Sequence, residues 1–296
     1  MNQALIYYYF NEFGTTAYDN MENPVVLSIA TFRKFDTTTP IHVIDVSDQE
    51  QEWLHFPKKL DFEVFRQPHA LKHCENVVYM PEETRLNLGR LAKPLDVFEL
   101  SLYCNQEMIM VCDADVLFTK DPFPLTSDFS KHFCFGNGLY YFEKSSLNTE
   151  RIFEIWCGLC VAAAINPLIQ RRIIQSKAYS KHDASLNEKT CWRYLQHKHT
   201  YSVEELSVYE DFSVFDLGNK THDTEKIKCL HFPRNQFRRS LKEKAKLAIR
   251  FEEVKTQLLS VLGEEDWKLV FKDTDCSTVS MHDMYEVRPL ISRTPQ

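Results

Sequence analysis

The chain has 296 residues, 44% hydrophobic and 13% aromatic, with 35 Lys and Arg against 42 Asp and Glu, a net charge of −7. Such a composition builds a substantial core and excludes long disorder, and seven glycines without a sequence period exclude collagen-like and solenoid chains. A protein coating nucleic acid by bulk charge would be basic, so any anionic partner must meet a local patch.

In chain order, Ala4 to Phe10 is an apolar, aromatic run that predicts a strand. Asn23-Pro24 opens a helical pattern through Val26, Ile29, Ala30 and Phe32. Ile41 to Val46 predicts a second strand and Leu60 to Phe65 a third. Arg90 to Tyr103 is helical, with Leu91, Leu95, Phe98 and Leu102 on one stripe. Met108 to Cys112 is apolar on both faces, which suits a buried strand in a mostly parallel sheet. Phe133 to Phe142 predicts two short strands broken by glycines. Helices follow at Thr149 to Ala164 and over a stretch including Ala184 to Gln196, then a short strand at Lys228 to Phe232. Gln236 to Leu262 reads as one long charged helix. Alternating strands and helices predict a three-layer α/β sandwich with a crevice at the carboxyl ends of its strands.

Nine cysteines in apolar contexts read as reduced core thiols, hence a cytoplasmic protein. Cys157-Gly158-Leu159-Cys160 lies inside an apolar helical pattern and reads as core packing. Pro68 to Cys74 holds three potential zinc ligands, one short of a structural site. No apolar run approaches the roughly 18–20 residues that span a bilayer. The first residues, Met1 to Tyr7, have no basic segment or small-residue cleavage site and do not read as a signal peptide.

The segment Met110 to Phe118 carries the chemistry. Asp113 and Asp115 follow a fully apolar strand at i and i+2, which in extended chain puts both carboxylates on one face. They repel each other and lose hydration near the core, so they need a partner or an ion. Oxygen ligands of this kind suit Mg²⁺ or Mn²⁺. A strand-end turn with a capping aspartate is the competing structural reading.

Asp113-Ala114-Asp115-Val116-Leu117-Phe118, followed by Asp121-Pro122-Phe123, resembles the Asp-x-Asp segment of GT-A-fold glycosyltransferases, particularly the family-8-like group. Further blocks occur in that family's order: Pro40 to Asp45, Arg90 to Lys93, Asn137 to Ser146, Asp183 to Asn187, and Lys228 to Phe232. The resemblance covers roughly residues 4 to 235. It implies a Rossmann-like mixed sheet flanked by helices for the domain over residues 1–235; the change of composition beyond it predicts residues 236–296 as a helical extension packed on that core. It implies a metal held by Asp113, Asp115 and His231, with Mn²⁺ favoured over Mg²⁺ by the imidazole. Tyr8, Asn11, Arg90, Lys93, Asp96, Asp113 and Asn137 are implied to bind a nucleotide-sugar donor, a UDP-sugar first. Asp183 is implied at the reacting centre, although His182 stands where many relatives have another acid. The Asp-x-Asp plus late His pattern resembles retaining members more than inverting ones.

From Arg234 to Arg250 seven basic residues oppose Glu243 alone, a local +6 in a chain of net −7. Arg238, Arg239 and Lys242 are the acceptor-binding candidates on that stretch. A solvated helix face competes with an anionic acceptor such as a modified nucleic-acid base, and a glycan acceptor also stays open. The expected activity is metal-dependent glycosyl transfer to a hydroxyl. Two alternatives remain: a sugar-phosphate nucleotidyltransferase, which would usually carry a Gly-rich signature absent from Phe10 to Gly14, or a silent binding module with the same fold.

Overall fold

A computed structural model describes residues 3–10, 22–47, 60–74, 85–114, 116–118, 120–122, 133–136, 138–176, 185–198, 204–205, 213–216, 227–231, 259–260 and 263–265. The expected charged helix from Gln236 to Leu262, with its basic acceptor candidates, lies almost wholly outside them.

The chain opens with β1 (Gln3–Tyr9), α1 (Glu22–Arg33), β2 (Ile41–Asp45) and β3 (Glu63–Arg66). It continues through β4 (Arg85–Leu86), α2 (Leu88–Tyr103), β5 (Met108–Cys112), β6 (Val116–Phe118), β7 (Phe133–Gly136) and β8 (Leu139–Glu143). Next come α3 (Leu147–Ile165), α4 (Pro167–Ile174), β9 (Ser185–Leu186) and α5 (Glu188–Lys198). Short strands β10 (Glu204–Glu205), β11 (Ser213–Asp216) and β12 (Ile227–His231) follow.

Seven strands form one sheet in the order β10-β7-β8-β5-β1-β2-β3. β8 runs antiparallel to both its neighbours, and every other pairing in that sheet is parallel. This is the expected mixed α/β sheet flanked by helices. β1 is central. The chain first adds β2 on one side of it and later β5 on the other, so the order reverses between β1 and β5. In open α/β sheets that reversal opens a crevice at the strands' carboxyl ends.

Period-2 alternation along β1 divides the core into two layers. Tyr7 points at α1, where its hydroxyl lies 2.7 Å from Ser28 Oγ. Tyr8 points to the opposite face, against α2. On that second face Ala4, Ile6, Ile109, Val111, Tyr140 and Phe142 pack on residues of α2, α3 and α5. Its centre is aromatic: Trp156 lies 5.5 Å from Tyr140 and 5.0 Å from Trp192, ring to ring, and Phe142 lies 4.9 Å from Phe153. Offset and edge-on pairs of this kind each add ~0.5–1.5 kcal/mol beyond the area they bury.

The sequence expectations need four adjustments. The third strand begins at Glu63, not Leu60, and its largely exposed residues mark it as the sheet's edge. In α2 the stripe does not run through Leu102, which is 59% exposed; the helix instead buries Leu88, Leu91, Ala92, Val97 and Leu100 between sheet and α3. Ser185 and Leu186 form a strand, so the helix expected over 184–196 begins at Glu188. Helix α4 was not anticipated. Asn166 ends α3 by donating its N–H to Ala162 and starts α4 by accepting from Leu168 N at 3.0 Å, with Pro167 in the first turn. The two helices meet there at 110°. No single helix among the described residues is long and apolar enough to cross a membrane.

Candidate active site

β5 ends at Cys112, Val116 N donates to the Asp113 carbonyl at 3.3 Å, and β6 then joins a separate three-stranded sheet with β12 and β11. Asp115, the second carboxylate of the expected same-face pair, lies outside the described residues. Asp113 N–H donates to Gly138 O at 2.6 Å. Gly138 has φ 80°, a left-handed conformation that glycine adopts without steric cost, between β7 and β8.

Two helix starts meet beside Asp113. β4 and β9 pair in parallel, Arg85 with Ser185 and Leu86 with Leu186, and Asn87 N donates to Leu186 O at 3.1 Å. Each strand is followed by an asparagine cap. Asn87 Oδ1 accepts from Arg90 N at 2.9 Å, and Asn187 Oδ1 accepts from Lys189 N at 3.0 Å and Thr190 N at 3.1 Å. Thr190 Oγ1 accepts from Asn187 N at 2.9 Å, a reciprocal capping contact. The ladder thus sets α2 and α5 side by side with their positive dipole ends together.

Charged side chains from both helices converge there. Lys93 of α2 donates to Asp113 Oδ1 at 2.6 Å, and Lys189 of α5 donates to Asp113 Oδ2 at 2.5 Å. Arg90 spans the two helices, 3.2 Å from Glu188 Oε1. Burial alone would raise the Asp113 carboxyl, but Lys189, Lys93 and Arg90 outweigh it and hold the group well below the usual carboxylate range. Three cations against Asp113 and Glu188 leave a local charge of +1. A second cluster adjoins it: Tyr8 OH lies 2.8 Å from Asp96 Oδ2 and 3.0 Å from Gly89 O, and Ala70 N donates to Asp96 Oδ1 at 3.0 Å. Asp96 is 1% exposed, and burial pushes it up to about 6 despite those hydrogen bonds.

Of the sequence candidates, Tyr8, Arg90, Lys93, Asp96 and Asp113 are thus brought into one region. Asp96, one of the expected donor-binding residues, has both oxygens on internal donors, Tyr8 OH and Ala70 N. His231 is placed by its backbone: the antiparallel register sets it opposite Val116, next in sequence to Asp115. Its side chain, and Asn11, Asp115, Asn137, Asp183, Arg238, Arg239 and Lys242, lie outside the described residues. Sequence reading missed Lys189 and Glu188. A signal existed: Leu86-Asn87 and Leu186-Asn187 are parallel strand-to-cap junctions, each with a basic residue in its first helical turn.

Of the three implied metal ligands, only the Asp113 side chain lies among the described residues, and each of its oxygens there accepts from one ammonium. A carboxylate oxygen has a second lone pair to offer. Among the described residues no group of three His, Cys, Asp or Glu is arranged to hold a metal.

No family model matches the sequence, and no curated protein matches it. Solved structures do match. The galactosyltransferase LgtC in complex with donor and acceptor sugar analogs aligns at TM-score 0.51 and 10% identity, over 90% of this chain and 99% of that one. An active-site mutant of LgtC aligns at TM-score 0.50 and 12% identity, over 90% and 99%. Mouse xyloside xylosyltransferase 1 aligns at 0.47 and 10%, over 79% and 99%. With the strand order above, the LgtC matches establish a GT-A glycosyltransferase fold.

Proposed function

We propose that the protein transfers a sugar from a nucleotide-diphosphate sugar, a UDP-sugar first, to a hydroxyl acceptor. One observation carries the reading: in a GT-A fold, an acid at the carboxyl end of a central strand gathers Lys93 and Lys189, with Arg90 paired to Glu188 beside them, where such sheets bind ligands. In the transfer, the bond from the anomeric carbon to the phosphate oxygen breaks and its electron pair leaves with the diphosphate. The acceptor oxygen forms the new bond and gives up its proton, to the departing phosphate in a retaining course or to a carboxylate base in an inverting one. Charge grows on the leaving group, so fixed positive charge beside it lowers the barrier. A divalent cation, Mn²⁺ before Mg²⁺, held by Asp113, Asp115 and His231 as the motif resemblance suggests, would add Lewis-acid positive charge there.

The motif resemblance supports Asp183 near the reacting centre, Asn11 and Asn137 on the donor, and a retaining course. Arg238, Arg239 and Lys242 are proposed for the acceptor, whether glycan or modified nucleic-acid base. Free thiols on the seven cysteines whose side chains are described are consistent with a cytoplasmic setting.

The test is release of nucleoside diphosphate from a panel of nucleotide sugars, followed by chromatography. The expected result is slow hydrolysis without acceptor for one donor, lost in Asp113→Asn. Formation of nucleoside triphosphate from that sugar and pyrophosphate would favour the nucleotidyltransferase, and no turnover of any donor the silent module.

A further inference from the structure

We propose that the corner where α3 turns into α4 is a docking surface for an anionic lipid bilayer, which the protein meets from the side without spanning it. The inference is independent of the donor reading above.

The first ground is an apolar strip on the outside of α3. Trp156, Cys160, Ala163 and Ala164 are fully buried on one side of the helix, so α3 cannot leave the core to cross a bilayer. On the other side Gly158 and Ile165 are exposed, and Ile155, Leu159 and Ala162 are only partly buried. Positions 155, 158, 162 and 165 follow the helical repeat and form one line along the outer face. An added Cβ at Gly158 would meet nothing within 4 Å, so the space over the strip is open. The outer face of a water-facing helix normally carries charge, yet no charged residue occurs between Glu154 and Arg171. Leu168 carries the strip across the bend, 64% exposed against 45% for Ile165.

The second ground is charge. Arg171 and Arg172 are exposed one turn beyond Leu168. The sequence has no Asp or Glu from Ile155 to His182 and four Lys or Arg there, in a chain of net −7. Aliphatic side chains ending in arginines match acyl chains beneath anionic headgroups, since an arginine stem lies along apolar surface while its guanidinium reaches a phosphate. A nucleic-acid backbone would meet the arginines but leave Ile165 and Leu168 in water.

The third ground is placement. α2 and α3 run antiparallel: Phe98 stacks on Phe153 at 4.8 Å, while the charge of Asp96, nearer the start of α2, reaches Cys157, further along α3. The end of α3 is therefore level with the first turns of α2, which hold Arg90 and Lys93. Docking by this corner sets the Asp113 end of the sheet beside the lipid.

The experiment is sedimentation of the full chain with vesicles of phosphatidylcholine alone, or of equal parts phosphatidylcholine and phosphatidylglycerol, at low and high salt and without nucleotide. Binding to the mixed vesicles that weakens with salt is expected, with little binding to phosphatidylcholine alone. Leu168→Glu should weaken it about tenfold or more, and so should Arg171→Ala combined with Arg172→Ala. Arg151→Ala removes an equal charge from the far end of α3 and should leave binding within about twofold of the parent. Thermal melting checks folding, and Leu168→Gln replaces Leu168→Glu if that variant does not fold. A parent that ignores the mixed vesicles, or binds both kinds equally, overturns the inference. A folded Leu168→Glu that binds as the parent does also overturns it, because the lipid is then met elsewhere on the chain. So does a lipid-free dimer that Leu168→Glu splits, which would make the corner an interface between copies. Duplex DNA that outcompetes the mixed vesicles for the parent, and whose binding the arginine pair but not Leu168 controls, overturns it too.

Discussion

Lys93 Nζ lies 2.6 Å from Asp113 Oδ1, joining the first turns of α2 to the end of β5. Both groups are largely buried, and each owes its tolerable burial to the other. Replacing a buried ion pair by apolar groups is often neutral, but removing one partner strands a charge.

Asp113→Asn should therefore destabilise the fold by about 3–5 kcal/mol, the usual cost of leaving a buried charge unpaired. Urea denaturation at pH 7 measures this, and a loss below about 1 kcal/mol would mean that Lys93 finds another partner. The pH dependence has a definite sign. The folded carboxyl is depressed below its ordinary value of 3.8. Its contribution is present above that value and disappears as pH falls through the lower folded value. The acid limb should be weaker in Asp113→Asn.

Asp96 has the opposite sign. Its folded value is raised to about 6 from 3.8. Its contribution is full below 3.8 and is lost as pH rises toward 6, after which it stays constant. Asp96→Asn keeps an acceptor for Ala70 N and donates toward Tyr8, which still has Gly89 O. Above pH 6 the variant should be more stable than the parent, by up to about 3 kcal/mol. Melting temperatures from pH 4 to 8 test this; a difference that does not grow with pH rules it out.

Two glycines should respond oppositely to alanine. Gly138 has φ 80° and lends its carbonyl to Asp113 N–H, so Gly138→Ala should cost about 1–2 kcal/mol. Gly158 lies within α3, and a Cβ there meets nothing within 4 Å. Gly158→Ala should stabilise by about 0.5–1 kcal/mol through helix propensity. Chemical denaturation of both variants side by side is the check.

Asn187 caps α5 through two backbone N–H groups and is buried. Asn187→Ala should lose about 1–2 kcal/mol of stability. It should also lower donor turnover beyond what Asn166→Ala does, since Asn187 fixes the turn that carries Lys189. Equal activity in the two cap variants would separate the cap from the site.

The sequence alone determined the main elements, β1, β5 and α3 among them, because their apolar patterns have periods that leave one reading; the short strands β4 and β9 and helix α4 were not legible in it. It also marked Asp113, Arg90 and Lys93, since ionisable groups beside an apolar strand demand partners. Only the tertiary structure decided what those partners are. The β4–β9 pairing joins residues a hundred apart, and two dipeptides carry too little pattern to announce it. That ladder helps bring Lys189 to Asp113 and Glu188 to Arg90, and it surrounds Asp113 with partners that its own stretch of sequence does not show. The turn at Ala114 and the burial of Asp96 were hidden for the same reason. Local sequence sets backbone preference, but which charge meets which carboxylate depends on elements packed from distant parts of the chain.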